Sequence, residues 1–263
     1  MNYELLNILT PNNIIIYILI FARLSGLFVV APIFSTYPIP IQVKIWFMAI
    51  LSYIFFPYVL NISNVEIPTS LPVLIVYTVK EFLVGFTIGF LSNFLFYTMQ
   101  ISGHLISLQS GLSASNVMDP STGEQTPVLG EFYLYMLSII FILLNAYHPM
   151  LLAVYESFVK LPLGFETIFN ANLIDTILKL SSNIFALSVS FVLPIFCVLF
   201  VLQILLGFVS KIIPQLNIYM VAMPLQILIA FSLMLMFLSP MVSFLTKTVQ
   251  KHQVLPKILR LLY

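Results

Sequence analysis

Residues 184–208 read IFALSVSFVLPIFCVLFVLQILLGF, a run with no acidic or basic residue that is longer than the roughly 20 residues needed to cross a bilayer. Comparable apolar runs cover residues 14–30, 41–60, 73–99, 132–146 and 218–245. The whole chain of 263 residues is 61% hydrophobic and only 7% charged, against about 25% charged for an ordinary globular domain. Such a chain cannot cover itself with water-facing side chains. Hydrocarbon offers no partner to backbone N–H and C=O groups, so each run must be a helix that satisfies them internally. The short alternating segments of a membrane β-barrel are missing. The expectation is an all-α integral membrane protein of about six long hydrophobic, partly kinked helices.

No compositional shift or long linker divides the sequence, so residues 1–263 read as one membrane domain. The first apolar run lacks a small-residue cleavage site and is followed by Pro32 and a second hydrophobic run, which reads as a retained helix. A net charge of +1 gives no reason to expect nucleic acid as a partner. The single Cys197, inside an apolar run, reads as a small buried hydrophobe.

Segment 101–131 differs in make-up from its surroundings. Ser102, Gly103, Ser107, Ser110, Gly111, Ser113, Ser115, Ser121, Thr122 and Gly123 crowd into it, and it contains no Lys or Arg. Small, turn-forming residues predict an irregular loop between helices. Non-helical backbone at membrane depth is tolerated where protein or a water-filled cavity surrounds it. The tail, with Lys247, Lys251, Lys257 and Arg260, belongs in the cytoplasm on charge alone.

Charges inside the apolar runs are few and therefore informative. Arg23 falls near the middle of the first, where an unpaired cation costs at least about 2.5 kcal/mol. Its helical neighbours Leu19, Ile20, Gly26 and Leu27 offer no carboxylate, so it must snorkel, line water, or pair with a distant group such as Glu81 or Glu131. A structural ion pair and a direct part in transport both fit. Lys80 and Glu81 are expected to open the third long helix and, being adjacent, to seek partners elsewhere. Gly85, Gly89 and Asn93 share one helix face and predict a packing seam. Pro194, Pro224 and Pro240, with Pro214 between the last two runs, predict kinks or breaks.

Catalytic patterns are absent from the sequence: His104, His148 and His252 lie apart, and no HExxH, GxSxG, phosphate-loop or CxxC motif occurs. The chain is therefore expected to be neither an enzyme nor a binder of metal or cofactor.

Three ordered stretches resemble the FliR family of flagellar export-gate membrane proteins, whose counterpart in virulence type III secretion is SctT. The first is Arg23-Leu24-Ser25 leading through Ala31-Pro32-Ile33-Phe34-Ser35 to Ile39-Pro40 and Val43-Lys44. The second is Leu108-Gln109-Ser110-Gly111-Leu112-Ser113 running to Asp119-Pro120, similar to the family's LQxGLS…DP loop. The third is Pro214-Gln215-Leu216-Asn217-Ile218-Tyr219 followed by Pro224-Leu225. Two departures are local: Asn145-Ala146-Tyr147-His148 stands where many members read NGH, and Ala222-Met223 replaces the usual Gly-Phe.

The resemblance implies a non-enzymatic subunit of the bacterial inner membrane, in the flagellar basal body, assembled with FliP and FliQ, contacted by FlhB and with FlhA as a further partner. It would form part of the channel through which unfolded proteins are exported. It implies a pore plug at residues 108–120, bearing Leu108, Gly111, Leu112, Ser113, Asp119 and Pro120. It further implies a cytoplasmic entrance hairpin at Pro214, Gln215 and Asn217. That hairpin and the basic tail, one helix apart, conflict over orientation. A virulence-type export subunit is the nearer alternative; a solute transporter using Arg23 and Glu81 is the more distant one.

Overall fold

The structure is a computed structural model and describes residues 10–62, 70–112, 117–118, 125–126, 128–164, 171–213, 215 and 218–250. Among these residues eight α-helices follow in order: α1 (Pro11–Val30), α2 (Ile41–Ile62), α3 (Leu71–Ser92), α4 (Phe94–Gln109), α5 (Val128–Leu143), α6 (Tyr147–Lys160), α7 (Ala171–Ile212) and α8 (Ile218–Gln250). Between α4 and α5, β1 (Val117–Met118) and β2 (Gln125–Thr126) form a two-residue antiparallel ladder pairing Val117 with Thr126. Among the described residues, five helical stretches are long and apolar enough to cross a membrane, or up to six if α5 and α6 together form one broken span. The protein is an all-α membrane protein, as the hydrophobic runs require.

The chain divides into two compact units. Among the described residues, one contains those from 10 to 93 and from 145 to 177; the other contains those from 94 to 144 and from 178 to 250.

In the first unit α1 is the central element. Pro11 opens it, its fixed φ suiting the first helical turn and its missing N–H costing no hydrogen bond there. Leu19, Ile20, Leu24 and Leu27 are wholly buried, and Phe28, Val59, Ile88, Ala153, Val154 and Phe158 complete the core around them. After Ala31 the chain turns through Ile33 at φ 69°, a left-handed conformation rare for a β-branched residue. The turn is held by Lys44, whose ammonium donates to the Phe34 carbonyl, and by edge-to-face packing of Phe28 on Phe34 and Phe47. Pro72 helps start α3 at Leu71, so Lys80 and Glu81 lie in mid-helix and do not open it as expected. The expected continuous run over 73–99 is broken at Asn93, which ends α3.

In the second unit, α4 continues to Gln109, so residues 101–109 are helical where an irregular loop was expected. The physical reason is a close, small-residue contact. Gly103 faces the Gly130 backbone of α5 with no room for a side chain. Ser102 donates to the Thr98 carbonyl at 2.7 Å, keeping its hydroxyl satisfied within the helix, and also reaches the Ser188 carbonyl of α7 at 3.2 Å. Ser188 in turn donates to Thr98 at 3.0 Å. Small residues here build a helix interface. Helices α7 and α8 run without a break through Pro194, Pro224 and Pro240. Cys197, expected to be buried, is exposed on α7.

Candidate functional site

One place in each unit joins polar side chains to a constrained backbone: the surroundings of Arg23 in the first and the end of α4 in the second.

In the first unit, Arg23 is 1% exposed and every nitrogen of its guanidinium has a partner. Nε and Nη2 both lie 2.5 Å from Glu81 Oε2 on α3. Nη1 donates to Ser157 Oγ at 3.1 Å, and Nη2 to the Leu161 carbonyl at 3.0 Å. The guanidinium carbon stands 4.2 Å from the centre of the Phe158 ring. Leu161 immediately follows α6, where carbonyls lack helical partners and carry the negative end of the helix dipole, so a cation there satisfies and neutralises them. One side chain thus ties α1 to α3 and to the C-terminal end of α6.

Glycines make this reach possible. A Cβ on Gly85 would collide with the Arg23 carbonyl, one on Gly26 with the Phe82 carbonyl, and one on Gly89 would lie 2.6 Å from the Leu27 oxygen. The α1 and α3 backbones therefore touch directly. Glu81, Gly85, Gly89 and Asn93 form one stripe at four-residue spacing, so the close approach that the glycines permit also delivers the carboxylate to Arg23. The sequence reading separated the charges from the seam; the structure joins them. It missed Gly26, whose place three residues after Arg23 was the available signal, and it missed Ser157, Phe158 and the Leu161 carbonyl. Asn93 donates from Nδ2 to Ser35 Oγ at 3.4 Å, while its Oδ1 is buried without a hydrogen-bond partner. Lys80 is apart from this cluster, with its ammonium 5.7 Å from the Tyr77 ring.

In the second unit the end of α4 leads into the loop. Leu108 is exposed in the last helical turn and not within a loop. Gly111 has φ 77°, the left-handed conformation that glycine adopts without penalty where a helix stops. A side chain there would meet Met223 Cγ at 3.7 Å and Gln226 Oε1 at 3.8 Å on α8. Leu112 is half-buried. Gln109 Nε2 donates to Gln203 Oε1 of α7 at 3.2 Å, and Gln203 Nε2 donates to the Gln109 carbonyl at 3.3 Å. Sequence reasoning missed Gln203, although an amide inside an apolar run is itself a signal. Ser113, Asp119, Pro120, Pro214 and Asn217 lie outside the described residues; Gln215 is exposed in a turn. Among the described residues no three His, Cys, Asp or Glu side chains group as metal ligands.

Residues 14–252 match the family described as bacterial export proteins, family 1. The chain is 31% identical to the flagellar biosynthetic protein FliR of Bacillus subtilis (strain 168) over 229 residues, covering 85% of this chain and 86% of that protein. It is 30% identical to the FliR of Aquifex aeolicus (strain VF5) over 239 residues, covering 91% and 90%. To the Yop proteins translocation protein T of Yersinia pestis it is 24% identical over 241 residues, covering 91% and 92%.

Proposed function

Since the chain belongs to the bacterial export proteins of family 1, we propose that it serves as the FliR-type membrane subunit of a flagellar type III protein export gate. In this reading the chain is one export-gate membrane domain in the bacterial inner membrane, within the flagellar basal body. It forms part of a channel with FliP and FliQ, is contacted by FlhB and FlhA, and catalyses no reaction. Unfolded flagellar proteins are its cargo.

The observation that carries the reading is the match to flagellar relatives over nearly the whole chain, and the fold agrees with it. Arg23 and Glu81 are sealed against each other and against α6, which suits a rigid frame better than a solute site that must open to water. Segment 108–120 leaves α4 through a left-handed glycine, the geometry of a chain that must turn sharply at the end of a helix. We assign that segment, from Leu108 to Pro120, the role of a plug that closes the passage and is displaced as cargo enters. Pro214, Gln215 and Asn217, between α7 and α8, are assigned to the cytoplasmic entrance.

The similarity to the Yersinia protein keeps a virulence-type export subunit as the second reading. Flagellar genes beside this one favour the first reading, and effector genes the second. Deletion of the gene tests the proposal: filaments should be lost while the membrane stays intact, and normal filaments in the deletion strain reject it.

A further inference from the structure

The plug assignment leaves open what holds the loop's root in place. Gln203 sits far along α7, among the exposed apolar residues Phe200, Val201, Ile204 and Leu205. An amide in such a setting is unfavourable unless it is hydrogen-bonded. Gln203 makes both of its bonds to one residue: Oε1 accepts from Gln109 Nε2 at 3.2 Å, and Nε2 donates to the Gln109 carbonyl at 3.3 Å. Gln109 is the last residue of α4, and its carbonyl is among those that the end of a helix leaves without an internal partner. Gln203 therefore caps α4 from a neighbouring helix, two residues before Gly111 turns the chain away.

We propose that Gln203 is a positioning residue that latches the root of the plug, holding the end of α4 against α7 when the passage is closed and releasing it when cargo displaces the loop. Exposure separates this pair from the frame around Arg23. The two amides are uncharged and lie on the surface of their unit, so parting them strands no charge and costs only two neutral hydrogen bonds. Arg23 and Glu81, by contrast, are buried and would leave bare charges behind. The Gly111 turn beside Met223 and Gln226 supplies the hinge, because a left-handed glycine can change conformation with little steric hindrance.

The inference rests on the loop closing the passage, and the test separates the two claims. Potassium conductance is measured in vesicles carrying the assembled export complex without cargo. The complexes contain Gln109→Met, Gln203→Met, both changes together, or, as a control, a loop shortened within residues 113–124. Gln109→Met removes one bond and leaves the carbonyl to Gln203, so conductance should rise about threefold; Gln203→Met removes both and should raise it about tenfold. Because the residues act as one unit, the double variant should leak no more than Gln203→Met alone. Multiplied effects in the double variant, or wild-type conductance in Gln203→Met alongside a leaking shortened loop, overturn the latch and leave the plug standing. If the shortened loop also fails to leak, both claims fall. Gln109→Met changes a single surface side chain and keeps the test open should Gln203→Met not assemble.

Discussion

Arg23 of α1 and Glu81 of α3, separated by 58 positions in sequence, meet at 2.5 Å with both side chains almost completely removed from solvent. A buried pair of this kind is a poor source of net stability but a strong constraint, because neither charge can be left alone.

Replacing one partner should therefore be worse than replacing both. Arg23→Met or Glu81→Gln is expected to destabilise the protein by about 3–5 kcal/mol, whereas Arg23→Met combined with Glu81→Leu should recover much of the loss. Thermal unfolding of the purified protein in detergent checks this. Equal, additive losses would show that the two charges are not paired.

Gly85→Ala should separate α1 from α3, since the added methyl meets the Arg23 carbonyl, which belongs to backbone and cannot swing aside. We expect a loss of at least about 1–3 kcal/mol, the usual cost of overpacking a closely fitted interior. Gly207→Ala is the matched control: nothing lies within 4 Å of the added carbon, and in a helix alanine should be neutral or mildly stabilising.

Ser157→Ala removes one acceptor from the guanidinium while leaving Glu81 and the Leu161 carbonyl in place. The expected loss is about 1.5–3 kcal/mol, the range for a hydrogen bond to a charged group. It should appear in the same unfolding assay, and Ser157→Thr should retain more stability than Ser157→Ala.

At Gly111, with φ 77°, alanine must adopt a left-handed conformation that costs an L-residue roughly 1–2 kcal/mol. Asparagine tolerates this conformation better. Export rate should therefore fall in the order glycine, asparagine, alanine, and a Gly111→Ala variant that exports normally would show that the turn is not required.

The membrane class and the helices were legible because oily runs without charges leave the backbone no alternative. The end of α3 was harder to see. Asn93 interrupts an apolar stretch without proline or glycine at the break, and hydropathy alone carries no sign of it. The serines and glycine at 102, 103 and 107 misled for a related reason. The same small residues that make loops also let helices pack closely, and the choice depends on Gly130 and Ser188, which are distant in sequence.

For Arg23, the sequence demanded a partner but offered both Glu81 and Glu131, and only the path of the chain selects between them. The four-residue stripe from Glu81 through Gly85 and Gly89 to Asn93 was there to be read in one piece. The Leu161 carbonyl was not, because a main-chain acceptor leaves no mark in a sequence.

The most direct measurement concerns the loop. With residues 111–122 shortened, and assembly of the complex verified by co-purification under mild detergent, passage of small molecules across the membrane is compared with wild type. The account predicts a leaky membrane when that stretch no longer fills the conduit. An assembled complex with unchanged conductance would contradict it.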